Sequence, residues 1–133
     1  MSFCDYLEAK VLDHLFGATS YAVLGNLYLG LSTTTPTDAG ANFTEPSGNN
    51  YSRVTSVNNP TNWPAASGGS KANGTAITFP TASGSWGTVT YFGIFDQASG
   101  GNLLATGELT VSKTISAMDT VQFAVSALTV TLD

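Results

Sequence analysis

The sequence predicts an all-β fold, an antiparallel β-sandwich of jelly-roll type, carrying one short amphipathic α-helix at its N terminus. Three observations predict it. After residue 25, apolar residues alternate with polar ones in short runs. Between those runs lie long stretches of Gly, Pro, Asn and Ser. Only the first sixteen residues carry a four-residue apolar period, and that period belongs to a helix.

The helix is expected over residues 3–16. Phe3, Leu7, Val11 and Leu15 recur every four residues, with Leu12 and Phe16 widening the stripe. Ser2 and Asp5 resemble a capping box, Asp5 and Glu8 suit the positive end of the helix dipole, and Lys10 and His14 suit the negative end. Gly17 is the expected stop. "NLYLGLST" then alternates Leu27, Leu29 and Leu31 with Tyr28, Gly30 and Ser32, a half-buried strand. Residues 33–50 read as a long surface excursion, "YSRVTSV" (51–57) as a strand, and 58–74 as a second loop with Trp63 between Pro60 and Pro64. "TAITFP" is a short strand. "WGTVTYFGIFD" and "LLATGELTV" form a hairpin across "QASGGN". In "TVQFAVSALTVTLD", Val121, Phe123 and Val125 share one parity, and Leu128, Val130 and Leu132 the other. A strand shows one face at one parity, so the slip at Ser126–Ala127 predicts a bulge or a crossing between sheets.

At 133 residues the chain is expected to form one domain, 1–133, with 1–17 as its helical extension. Charged residues make up 10% of it, less than half the ~25% of average domains, so uncharged polar groups supply solubility and leave broad neutral surface for lasting subunit contacts. Net charge is −5, and the basic residues are Lys10, Arg53, Lys71 and Lys113. Four scattered cations make no nucleic-acid footprint. No apolar run reaches the ~18 residues of a membrane span, and no secretory signal is visible, so cytoplasmic synthesis without export is expected. A single cysteine excludes an internal disulfide.

Catalytic chemistry finds little purchase. His14 is the sole histidine, and Cys4 lies ten residues from it, ~15 Å along a helix, so the two cannot pair in one straight helix. Nucleophile-elbow, P-loop and zincin motifs are absent from the sequence. Asp38–Asn42 and Asp96–Asn102 offer loop oxygens for calcium without the EF-hand spacing, so no metal and no cofactor are expected. Asn42, Asn50 and Asn73 stand in formal glycosylation sequons, read as chance in a chain rich in Asn and Thr.

Two readings of the helix stay open: Phe3, Leu7, Val11 and Leu15 face a partner, or they close one end of the sandwich. Trp63, set in a polar loop, is the aromatic least easily assigned to the core. It is a candidate contact for another subunit or for a glycan.

"LYLGLSTTTPTDAGANFTEPSGNNYSRV" and "NWPAASGGSKANGTAITFPTASGSWGTVTYFGIFDQASGGNLLATGELTVSKTI" resemble a family of small tailed-phage virion proteins commonly labelled tail fibre proteins, with "WGTVTYFGIFDQASGGNLL" the most specific stretch. The resemblance spans most of the chain and implies a virion component without enzymatic activity, with no catalytic residues to carry over. Short strands rising ~3.3 Å per residue make a compact body instead of a long shaft. The leading expectation is therefore a capsid decoration or cement protein that binds other virion proteins and its own copies, a trimer suiting the role. The alternative is a tail or neck fibre component that binds host glycans through loops 33–50 and 58–74.

Overall fold

The computed structural model describes residues 1–132, so the last residue of the expected domain 1–133 lies outside them. The chain runs β1 (Ser2–Phe3), α1 (Asp5–Phe16), β2 (Asn26–Ser32), β3 (Val54–Val57), β4 (Ser70–Ala72), β5 (Ile77–Thr78), β6 (Gly87–Phe95), β7 (Leu103–Ile115), β8 (Gln122–Phe123) and β9 (Thr129–Thr131). Five strands form an antiparallel sheet in the order β1-β7-β6-β2-β3. Two ribbons, β4-β9 and β5-β8, accompany it. The architecture is all-β with one short N-terminal helix, in agreement with the sandwich expected from the sequence.

One face of the sheet makes the main core. Leu29 and Leu31 of β2, Val89, Phe92 and Ile94 of β6, and Ile115 of β7 meet Ile77 and Phe79 from the β5 ribbon and Leu128 beside β9. Val89 and Phe92 have opposite parity, yet both are buried. The register explains it: pairing jumps from Val89–Lys113 to Tyr91–Glu108, so Thr90 alone stands opposite Leu109 through Ser112. This wide bulge turns the strand over, which keeps both side chains in the core and interrupts the exposed edge of β7. Gly107, paired with Phe92, is required by close approach, because a Cβ there would sit 2.5 Å from the Phe92 ring.

The parity slip near the C terminus marks a passage between the two ribbons. β8 pairs with β5 and β9 with β4. Between them Ser126 adopts φ +63°, and the Ala127 amide donates to the Ala124 carbonyl at 3.1 Å. Asn73 holds this turn from inside. Its Oδ1 accepts from the Leu128 amide, and its Nδ2 donates to the carbonyls of Ala124 and Thr75, each at 2.8 Å. At 1% exposure it is closed to glycosylation in the folded chain, whatever its sequon.

The other face of the sheet is covered by the excursion 33–50. Gly30 and Gly93 are paired neighbours on β2 and β6. The Phe43 ring lies over Gly93, 2.6 Å from where a Cβ would be, and Glu45 and Tyr51 lie over Gly30. Phe43 meets Phe95 edge-on, with ring centroids 5.0 Å apart. Cys4, Phe95 and Leu103 complete a second, smaller core there.

Arg53 binds these pieces together. Its guanidinium makes an ion pair with Glu45, Nη2 to Oε2 at 2.7 Å and Nε to Oε1 at 3.0 Å. Its Nη1 donates to the carbonyls of Gln97 and Gly100, both at 2.8 Å, in the β6–β7 turn. Its plane stacks over Phe95 at 3.4 Å. The Tyr51 hydroxyl donates to Glu45 Oε1 at 2.7 Å and accepts from the Leu31 amide at 2.9 Å. Burial pushes the Tyr51 hydroxyl well above its ordinary range, opposed by the Leu31 amide and helped by the Glu45 charge, so it remains a donor.

Two local expectations are corrected. The helix begins at Asp5 with Cys4 as its N-cap, and no side chain caps it, so the Ser2–Asp5 capping box does not form. Phe3 is held instead in β1, where Ser2 and Phe3 pair with Thr106 and Ala105 of β7. A strand partner a hundred residues away captured what the four-residue period assigned to the helix.

Candidate functional site

The first turn of α1 is bound to the body, and its last turns leave it. The Cys4 amide donates to the Leu104 carbonyl at 2.8 Å, and the Asp5 amide to the Asp38 carbonyl at 3.0 Å. Tyr6 and Leu7 pack against the main core. Further on, Leu12 is 57%, Leu15 64% and Phe16 83% exposed. The start of the helix thus packs on the sandwich, and its end presents Leu12, Leu15 and Phe16 to solvent.

Beside the first turn lies an apolar cleft of about 310 Å³. Its walls include Phe3, Leu7, Leu27, Trp63, Leu104 and Val130, drawn from β1, α1, β2, the 58–69 loop, β7 and β9. Among the described residues Lys71 is the one charged residue lining it, and its ammonium donates to the Pro64 carbonyl at 2.8 Å.

Of the residues singled out from the sequence, Phe3, Leu7 and Trp63 therefore meet at one cleft. Val11 is half-buried beyond it, and Leu15 stands in solvent on the projecting end. The expectation that Trp63 lies apart from the core is corrected. The ring is 4% exposed in the main cluster, and its Nε1 donates to Ser56 Oγ at 3.0 Å. Trp86 is buried as deeply and donates to the Asn49 carbonyl at 2.8 Å, so neither indole offers a stacking face. Leu12 and Phe16, read from the sequence only as broadening the stripe, are exposed together with Leu15 on the projecting end. The i, i+4 spacing was legible; their lack of an intramolecular partner was not.

The rare chemistry of the N-terminal segment has structural roles. Cys4 and His14 stand at opposite ends of α1, and His14 Nδ1 accepts from the Tyr21 amide at 3.2 Å. Asp5, Glu8 and Asp38 bring carboxylate oxygens within 4.8 Å of one another on the exposed surface, a convergence the sequence reading missed because Asp38 comes from a distant loop. Asp96 and Asn102 satisfy each other: Asp96 Oδ1 accepts from the Asn102 amide and Oδ2 from its Nδ2, both at 2.7 Å. Among the described residues no helix is long and apolar enough to cross a membrane.

Burial first, then the charges of Asp38, Asp5 and Glu8, push the Cys4 thiol up from 9.0 to about 11. A raised folded-state value means the unfolded chain loses its proton first as pH rises. Stability is then full below about pH 9 and falls as pH climbs toward 11. Thermal melts between pH 8 and pH 11 should show this decline in the wild type and a shallower one in Cys4→Ala. Equal slopes would remove Cys4 from the account.

No curated protein matches the chain. A family model does, over residues 2–131, and its description is Podophage GP4 fiber I protein gp80. That match runs from β1 through β9 and takes in the projecting helix, the cleft and both cores. By it, the chain belongs to the podophage fiber I protein gp80 family.

Proposed function

We propose that the protein is a non-enzymatic structural subunit of a phage virion, working as a component of a tail or neck fibre, with the projecting end of α1 as its assembly element. The family match over residues 2–131 carries this reading. The exposed stripe Leu12, Leu15 and Phe16 supports it, because an apolar helix end without an intramolecular partner marks a contact surface. The β body supplies the exposed part of such a component. Its 33–50 loop is pinned by Phe43 and the Arg53–Glu45 pair, and the β6–β7 turn by the same Arg53, which leaves the exposed 64–69 stretch as the surface open to a host receptor.

A second reading, a decoration or cement protein of the head, is favoured by the shape of the elements. The longest strand has 13 residues, ~43 Å if fully extended, and β7 is broken by its bulge. Such a body covers joints between shell subunits as readily as it tips a fibre.

Copy number separates the two. Quantitative mass spectrometry of purified particles should find this protein in small multiples of the rotational symmetry of the tail. Hundreds of copies per particle would shift the assignment to the shell. Absence from the particle would overturn both.

A further inference from the structure

The projecting helix end and the apolar cleft belong to the same chain but cannot meet within it. Leu7 is already part of the cleft wall. Leu12 and Phe16 lie five and nine residues beyond it, roughly 7 and 13 Å farther along the axis at 1.5 Å per residue. Among the described residues each protomer thus carries an unfilled apolar receptor and an unpartnered apolar plug.

We propose that the cleft receives the helix end of a second copy of this chain. The proposal rests on the reading of the helix end as an assembly element and not on the place of the protein in the particle. Size agrees. A cavity of about 150 Å³ accepts a benzene ring, so about 310 Å³ accommodates the Phe16 ring together with a leucine side chain.

Charge agrees as well. The copies each carry −5 and repel one another in general. The cleft nevertheless presents Lys71, and the incoming helix carries Asp13 on the flank of its apolar stripe. Area agrees when the assembly closes. The exposed parts of Leu12, Leu15 and Phe16 amount to roughly 400 Å², judged from the 150–250 Å² that an aromatic residue buries. The cleft wall offers less area than the stripe, so one contact stays well below the ~1,000 Å² of a specific interface. In a closed pair each subunit both gives a helix and receives one, so both contacts form at a single interface. The two contacts across that one interface then total about 1,100 Å², just above the ~1,000 Å² a specific interface needs.

Analytical ultracentrifugation of the full chain tests this with one substitution on each side. The wild type should sediment as a closed oligomer. Phe16→Asp on the plug and Ala66→Trp in the cleft should each raise the dissociation constant at least about 30-fold, while Val111→Asp, on the β7 bulge, leaves it unchanged. Circular dichroism melts establish that each variant is folded. Should Ala66→Trp fail to fold, the charge pair takes its place. Lys71→Glu should weaken assembly, and adding Asp13→Lys should restore it. A monomeric wild type overturns the proposal and leaves the virion role standing. Assembly lost in Phe16→Asp but kept in both cleft variants also overturns it, because the helix end then docks elsewhere.

Discussion

Glu45→Ala destabilises the protein by about 2–4 kcal/mol, the cost of stranding a guanidinium whose partner carboxylate is a quarter exposed. Arg53, whose side chain is 7% exposed, keeps its two carbonyl partners and its stacking on Phe95 but loses the carboxylate that neutralises it. Tyr51 loses the acceptor of its hydroxyl at the same time. For a domain of this length the loss corresponds to a fall of roughly 10–20 °C in Tm. Glu45→Gln costs less, since it keeps an oxygen facing Tyr51 and the Arg53 Nε. Arg53→Lys also fails, because an ammonium cannot span the carboxylate and the β6–β7 turn with a planar fork. The double variant Glu45→Ala with Arg53→Met should cost clearly less than the sum of the single changes, with a coupling of ~1–3 kcal/mol in a denaturation cycle. Strict additivity would mean that the pair is incidental. The same hub explains why Gly30 tolerates no side chain: a Cβ there would meet Glu45 Oε1 at 2.8 Å.

Trp63→Ala, the second large effect, costs about 3–5 kcal/mol through the cavity it leaves. It also strands the buried Ser56 hydroxyl and opens the floor of the apolar cleft. Chemical denaturation should show the loss with an unchanged slope, as expected when the folded state is weakened and the unfolded state is not. Trp63→Phe keeps the ring volume in large part and loses the hydrogen bond, so it should cost less than half as much. An Ala variant as stable as the wild type would contradict the burial. This expectation also governs any receptor-binding assay: a loss of binding in Trp63→Ala has meaning only where the variant is shown to be folded.

The sequence alone determined what is local. The four-residue period of the first segment, the alternation of Leu27, Leu29 and Leu31, the "QASGGN" turn and the parity slip at Ser126–Ala127 all record how a backbone exposes its own neighbours. Each corresponds to an element seen in the fold. Tertiary structure decided the rest. β7 claimed Phe3 for a strand, the main core enclosed Trp63 despite its polar, Pro-flanked loop, and Arg53 drew together three segments that no motif connects. The cleft itself unites Phe3, Leu7, Trp63 and Val130 across most of the chain. The physical reason is the same in each case. Periodicity reports which face of an element is apolar, whereas burial and partnership depend on what arrives from far along the chain to cover that face. At Leu12, Leu15 and Phe16 none of the described residues arrives to cover that face.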